Sequence, residues 1–179
     1  MDTATTFPPF QVTPEIEAEA DKRISQYPDN QKRSAVLPLL HIIQHKFGYI
    51  NPEATEWVAE KLGLQPMQVY EVVSFYPGLR EHSPGKFHFR VCRTLSCAMA
   101  GSAELMDRIC ELTGIDRSKS DSHHNPIAVS PCGSWSVEFA ECLASCGTGP
   151  VCLVNDDFHE AISEDKAEDL LNQYSQPAN

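Results

Sequence analysis

Two close pairs of cysteines, far apart along the chain, constrain this sequence more than any other feature. Cys92 and Cys97 form the first pair, and Cys142 and Cys146 form the second. A strand-like run precedes each pair, over 87–91 and 136–141. Because two loops at the ends of strands can bring four thiolates to one point, the pattern predicts a four-sulfur metal site.

Composition limits the classes of protein that remain possible. The chain has 179 residues, of which 41% are hydrophobic and 22% charged, as in one globular domain or two small ones. The net charge of −11 argues against a nucleic-acid partner. We find no apolar run near the roughly 20 residues of a membrane span and no secretory signal, so we expect a cytoplasmic protein without direct membrane insertion. In that compartment, clustered cysteines bind metals or do redox chemistry more often than they form structural disulfides.

The first half of the chain has the periodicity of short helices. Residues 1–12 show no period and predict a flexible arm. Four amphipathic stripes follow, separated by Pro and Gly, and they predict a small helical bundle domain over 13–84. Thr13-Pro14 and Asn51-Pro52 are helix starts, and Asp29-Asn30 offers a start for the second helix.

The second half, 85–179, predicts an α/β domain with the order β-α-β-β-β-α. A helix between the first two strands favours their parallel pairing. The apolar run Val151–Val154 is typical of a central strand, and Phe158–Ile162 is the expected returning strand. Residues 116–134 are polar and predict a long loop, in which 126–129 could add a short extended piece. The fold class is therefore α+β, a helical bundle followed by an open sheet with packed helices.

Spacing alone leaves the identity of the metal open. Zinc sites prefer two to four residues between paired cysteines, and here four lie in the first pair and three in the second. The small and apolar residues around both pairs, with Gly147 and Gly149 in the second, favour an iron–sulfur cluster, because short side chains let backbone N–H groups approach the sulfides. A Cys-x-x-Cys dithiol motif is absent, and we expect no catalytic residue in this chain.

The other cysteines are interpreted as bystanders. Cys110 and Cys152 fall at apolar positions and should be buried, whereas Cys132 should be exposed. The pair His123-His124 sits in a polar sequence without an evident third ligand. Pro150 is a candidate for a cis peptide bond that the sequence alone does not decide.

These motifs resemble those of a known family. The two pairs, with the stretch Glu141-Cys-Leu-Ala-Ser-Cys-Gly-Thr-Gly-Pro-Val151, closely resemble the thioredoxin-like [2Fe–2S] subunit of respiratory complex I, called E in bacteria and 24 kDa in mitochondria. The stretches Leu37–His41, Gly48–Pro52 and Val69–Tyr76 resemble its helical domain. The likeness covers about residues 13–175. Two departures are a longer loop over 118–134, which adds Cys132, and Pro77-Gly78 after the fourth helix.

The resemblance implies a thioredoxin-like domain over 85–179 with a [2Fe–2S] cluster, whose ligands would be Cys92, Cys97, Cys142 and Cys146. It implies an electron-transfer subunit of an NADH dehydrogenase that exchanges electrons with the FMN of a partner flavoprotein. That partner would bind FMN and NADH, and a large iron–sulfur subunit would lie nearby, peripheral to the inner membrane. This chain alone would hold no complete active site and would not bind quinone.

Three other functions remain open on the sequence. The same two-domain subunit recurs in NAD-linked hydrogenases and formate dehydrogenases, so this chain could be their equivalent diaphorase subunit. A zinc-stapled adaptor with a helical docking domain is a possibility from another class. A free-standing ferredoxin is the third, although the helical extension argues against it.

Overall fold

Helices form the first part of the chain and a mixed sheet the second. The structure, a computed structural model, describes residues 8–120 and 125–175, which divide into two compact units between Ser83 and Pro84. Residues 1–7 of the predicted arm and the pair His123-His124 lie outside the described residues. No helix in the described ranges is long and apolar enough to cross a membrane.

Four helices build the first unit: α1 (Pro14–Ile24), α2 (Val36–Phe47), α3 (Pro52–Leu62) and α4 (Pro66–Phe75). The predicted starts are confirmed, since Thr13 accepts a hydrogen bond from the N–H of Ile16 at 3.4 Å and Asn51 one from Ala54 at 2.9 Å. Gly48 ends α2 with a φ of 78°, a left-handed conformation that glycine adopts without strain.

The start predicted for the second helix is wrong. Residues Asp29–Ala35 form a 3-10 segment, and α2 begins only at Val36. Gln31, with a φ of −130° and a ψ of 19°, interrupts the helical backbone, so a cap at Asp29-Asn30 cannot lead into a continuous α-helix.

The apolar stripes of the four helices form the core of this unit. Phe10, from the predicted arm, joins its edge: the Phe10 ring stacks edge-on against Phe47, with 5.2 Å between centroids. The fully buried members include Ile16, Leu39, Leu40, Ile43, Val58 and Val69.

The second unit is a five-stranded sheet with the order β2-β3-β1-β4-β5. Its strands are β1 (Phe87–Cys92), β2 (Ala128–Val129), β3 (Trp135–Ala140), β4 (Cys152–Val154) and β5 (Asp157–His159). Between β1 and β3 lie the helices α5 (Leu95–Met99) and α6 (Ser102–Thr113), and α7 (Ala167–Ser175) ends the unit. The parallel pairing of β1 with β3 is confirmed, whereas β4 runs antiparallel to β1.

One detail of the sheet differs from the sequence prediction, and one agrees with it. The returning strand β5 ends at His159 and not at Ile162, because Ala161 takes a left-handed φ of 52° that is incompatible with a strand. The short extended piece expected within 126–129 is confirmed as β2, which pairs with β3.

One face of the sheet carries the core. Phe89, Val91 and Val137 pack there with residues of α6 and α7. On the opposite face, the alternation of His88 and Arg90 with apolar residues predicts a half-buried strand, but His88 is only 2% exposed. Its ring bonds Ser136 Oγ at 2.8 Å and Glu138 Oε1 at 3.0 Å, which is possible because the parallel register sets His88 opposite Ser136.

Candidate metal centre

The first cysteine loop leaves the central strand of the sheet. Cys92 is the last residue of β1 and Cys97 lies in α5, and both side chains are buried. The N–H of Cys92 donates to the carbonyl of Val151 at 3.1 Å, and the N–H of Arg93 donates to that of Ala140 at 3.0 Å. These bonds fix the start of the loop to the strands on both sides.

The second cysteine loop leaves the neighbouring strand β3, and both of its cysteines, Cys142 and Cys146, are exposed. Its backbone is irregular: Ala144 has a φ of 59°, and residues Cys146–Thr148 form one 3-10 turn. The Gly149–Pro150 bond that follows is cis. Because β1 and β3 are parallel neighbours, both loops emerge at the same edge of the sheet.

The fold brings the predicted ligand residues to one region. The Cys92 and Cys97 thiols lie close enough to shift each other's pKa, and Cys146 lies close enough to Cys97 to contribute to the raised pKa of Cys97. Leu143, beside Cys142, packs against Cys92, Cys97 and Val151. No three His, Cys, Asp or Glu side chains within 8–120 and 125–175 are arranged to hold a single metal ion. A two-iron group distributes four thiolates over two metal atoms, so its fit is judged from the donors around each sulfur.

Hydrogen-bond donors surround the sulfur of Cys92. Burial acts to raise the pKa of Cys92, but bonds from the Thr94 hydroxyl, the Thr94 and Leu143 N–H groups and the Cys97 thiol outweigh burial and lower that pKa. The Thr94 hydroxyl lies 3.3 Å from Cys92 Sγ. Burial raises the pKa of Cys97, as does the Cys92 thiol, and the Val151 N–H opposes this. Cys92 is thus the thiol of this pair that ionises more readily.

The same donors fit an iron–sulfur group. Backbone N–H groups of Thr94, Leu143, Ala144 and Val151 face cysteine sulfurs, and the one from Ala144 reaches Cys142 Sγ at 3.4 Å. A Cβ atom placed on Gly149 would lie 3.4 Å from Cys97 Sγ, so the backbone of the second loop passes directly over the first. Four free thiols with inward N–H donors and little side-chain bulk are the donor set that such clusters need.

The remaining cysteines are where the sequence predicts them. Burial raises the pKa of Cys110 to about 11 and that of Cys152 to about 12, so both remain neutral thiols. Cys132 is exposed, and a hydrogen bond from the Ser130 hydroxyl is the main cause that lowers its pKa. It lies in a turn before β3, away from the two cysteine loops in sequence.

Sequence reasoning missed the polar residues that support the loops. Thr94 could have been suspected from its place between two cysteines, where its hydroxyl reaches back to Cys92. Glu160 has no such signal: it follows β5 but bonds Ser145 and Thr148 in the second loop. Nothing in the spacing of the motifs connects these positions.

Comparisons with known proteins identify the family. The sequence profile of the thioredoxin-like [2Fe-2S] ferredoxins matches residues 20–175, most of the chain. The chain belongs to the thioredoxin-like [2Fe–2S] ferredoxin family. The predicted cofactor is thereby confirmed as a [2Fe–2S] cluster.

Individual members and structures agree with this family. The chain is 39% identical over 152 residues to NADH-quinone oxidoreductase subunit 2 of Thermus thermophilus, covering 84% of this chain and 79% of that one. It is 35% identical to the NADH-quinone oxidoreductase E subunit of Rickettsia typhi, covering 97% and 98%. A solved NAD+-reducing [NiFe]-hydrogenase in the H2-reduced state shares the fold, with a TM-score of 0.59 and 17% identity over 79% of this chain. This chain spans only 22% of that hydrogenase chain.

Proposed function

We propose that this ferredoxin is the electron-transfer subunit of a complex I-type NADH dehydrogenase. Its [2Fe–2S] cluster would exchange single electrons with the FMN of a partner flavoprotein that also binds NADH. The observation that carries this proposal is the likeness to the E subunit of Rickettsia typhi, which extends over 97% of this chain and 98% of that relative. Both units of the chain are therefore present in the relative.

We further propose that Cys92, Cys97, Cys142 and Cys146 are the four ligands. The support is that these thiols come from adjacent loops and that N–H groups face their sulfurs. The chain's own residues hold the cluster, set its polar surroundings and keep half of its ligands at the surface. In this proposal the NADH site belongs to the partner, and this chain has no complete active site alone.

The surface beside the cysteines supports contact with a protein partner. Leu95 and Met99, one turn apart on α5, are 75% and 81% exposed, although both are large and apolar. Exposed apolar side chains next to a redox centre favour a docking face, because burial against a partner removes them from water. We propose the flavoprotein as that partner, with a large iron–sulfur subunit nearby and the whole assembly peripheral to the inner membrane on its cytoplasmic side.

Reduction by NADH tests the proposal. The purified chain should remain oxidised with NADH alone and become reduced, by visible absorption and EPR, once the flavoprotein of the same organism is added. A double substitution Leu95→Asp/Met99→Asp should weaken reduction at least tenfold and leave the oxidised spectrum unchanged. The matched control is Phe158→Asp, which changes an exposed apolar residue on β5. Direct reduction by NADH, or none with the flavoprotein, would contradict the proposal.

Two alternative functions have their own tests. The fold of the NAD+-reducing hydrogenase chain is shared, so a diaphorase role is distinguished by which large subunits co-purify with this chain. The zinc adaptor would be colourless, with zinc and no acid-labile sulfide.

A further inference from the structure

A short segment after β5 runs beside the second cysteine loop and is joined to it by hydrogen bonds. The N–H of Ala161 donates to the carbonyl of Thr148 at 2.7 Å, and the N–H of Ile162 donates to that of Pro150 at 3.1 Å. Ala161 has a left-handed φ of 52°, a conformation that non-glycine residues adopt only when their surroundings hold them. Lys166 Nζ donates to the Ala161 carbonyl at 3.0 Å and helps to hold it.

Glu160, at the start of this segment, accepts hydrogen bonds from residues on both sides of Cys146 in the sequence. Its Oε1 atom accepts hydrogen bonds from the hydroxyl of Thr148, at 2.5 Å, and from the hydroxyl of Ser145. The two hydroxyls also lie 2.7 Å from each other. Ser145 directly precedes Cys146 and Thr148 follows it by two residues, so one carboxylate oxygen closes the turn that presents Cys146.

We infer that Glu160 is a positioning residue for Cys146, which it acts on through the Ser145 and Thr148 hydroxyls while placing a negative charge beside the cluster-binding loop. The inference rests on the ligand assignment proposed above. A carboxylate is suited to this task, because hydrogen bonds to a charged acceptor are shorter and stronger than those to a neutral one. The loop needs such support, since its backbone is irregular and its cysteines are exposed.

The charge has a second consequence. Adding an electron to a cluster is less favourable beside a negative charge, so the Glu160 carboxylate should lower the reduction potential. The hydroxyl bonds from Ser145 and Thr148 lower the pKa of Glu160, which keeps it ionised at neutral pH. A purely structural side chain would leave the potential unchanged after a substitution that preserves its hydrogen bonds.

Three variants of the full chain separate these effects. Glu160→Ala removes bonds and charge, Ser145→Ala/Thr148→Ala removes the bonds and keeps the charge, and Glu160→Gln keeps an acceptor oxygen without the charge. Glu164→Gln is the matched control, because Glu164 is an exposed carboxylate nearby in sequence with no hydrogen bond to the loop among those described. The measurements are the rate of cluster loss to a chelator, the midpoint potential and the EPR line shape.

The expected pattern is specific. Glu160→Ala and Ser145→Ala/Thr148→Ala should each lose the cluster at least fivefold faster than wild type, and combining them should add little, since they break the same contact. Glu160→Gln should lose it at nearly the wild-type rate but show a more positive potential than Glu164→Gln. The inference would be overturned by wild-type cluster retention in Glu160→Ala or by additive rates of cluster loss in the combined variant. Equal midpoint potentials in Glu160→Gln and Glu164→Gln would also overturn it.

A measurement on the cluster-free chain checks the contact itself. Amide hydrogen exchange over 145–149 should be faster in Glu160→Ala than in wild type and unchanged in Glu164→Gln. Cys146→Ala tests the underlying assignment: if it keeps the cluster, the proposed ligand set fails. Cys146→Ala could instead lose the cluster while Glu160→Ala keeps wild-type amide exchange and wild-type cluster retention. In that case only the role of Glu160 is wrong, and the ligand assignment stands.

Discussion

The two cysteine loops differ in how the protein holds them. The first begins at the end of the central strand, has both cysteines buried and packs on Val151. The second leaves β3 into irregular backbone with both cysteines exposed, and the Glu160 side chain, from outside the loop, accepts hydrogen bonds from it. Ligands of the same chemistry are thus supported by the sheet on one side and by polar contacts on the other. The exposed thiols of the second loop are the ones that solvent can reach.

The test of this comparison with the largest expected effect removes one proposed ligand from each loop. We expect Cys97→Ala and Cys142→Ala to abolish the [2Fe–2S] absorption and EPR signal completely, because a two-iron cluster needs four thiolates. Support by the sheet or by side chains should make no difference when a ligand is missing.

Cys132→Ala is the control for those substitutions. Cys132 is exposed like Cys142 but lies outside both loops, so its loss should leave the signal intact. Loss of the cluster in Cys132→Ala would mean that the ligand assignment is wrong.

The second test compares thiol reactivity in the reduced, cluster-free chain. Iodoacetamide at pH 8, followed by mass spectrometry, should modify Cys142 and Cys146 at least about tenfold faster than the buried Cys92 and Cys97, because the reagent must reach the sulfur. Equal rates within the four would show that both loops open equally in the absence of the cluster.

Cys152 provides the internal reference for that experiment. With its pKa raised by burial to about 12, its thiolate fraction at pH 8 is on the order of 10³-fold below that of an ordinary thiol. Its rate should rise about tenfold for each pH unit below 12, because the thiolate is the reacting form. A flat pH profile would contradict this.

Much of the fold can be predicted from the sequence, because the local patterns that mark helices and strands agree with how these elements pack. Thr13, Asn51 and Gly48 mark helix ends that the structure confirms, and the helix between the first two strands predicts their parallel pairing. Cysteine pairs after these strands must then emerge at one edge. The cofactor follows from the family, since spacing alone left zinc open.

The rest depends on contacts between distant residues, which periodicity does not encode. His88 has the position of a half-exposed residue but is buried, because Ser136 and Glu138 on the next strand satisfy its ring. Glu160 looks like one more surface acid until the fold brings it to Ser145. The early end of β5 comes from the conformation of Ala161, which the loop beside it holds through a hydrogen bond.

A third test weakens the sheet that supports the first loop. A Cβ atom on Gly85 would lie 2.7 Å from the backbone carbon of Trp135, so Gly85→Ala forces β1 and β3 apart where they begin. We expect a loss of about 1–3 kcal/mol in the free energy of unfolding, measured in urea. The control is Gly147→Ala in the second loop, where a Cβ would meet nothing within 4 Å and the change should stay within about 0.5 kcal/mol. Equal losses of unfolding free energy in Gly85→Ala and Gly147→Ala would mean that the sheet below the first loop is packed no more tightly than the second loop.

The test with the smallest expected effect replaces one alanine by glycine in each loop. We expect changes in unfolding free energy of opposite sign. Ala144, in the second loop, has a left-handed φ of 59°, which costs an L-residue about 1–2 kcal/mol, so Ala144→Gly relieves strain. The greater freedom of glycine in the unfolded chain offsets about 0.5–1 kcal/mol, which leaves a gain in unfolding free energy of up to about 1.5 kcal/mol.

Ala98, in the first loop, lies in the regular helix α5, so Ala98→Gly has no strain to relieve and should lose about 0.5–1 kcal/mol. Both values come from urea unfolding of the full chain without the cluster. If both substitutions destabilise the protein, the left-handed backbone at Ala144 carries no strain. The backbone of the second loop would then be no more strained than that of the first.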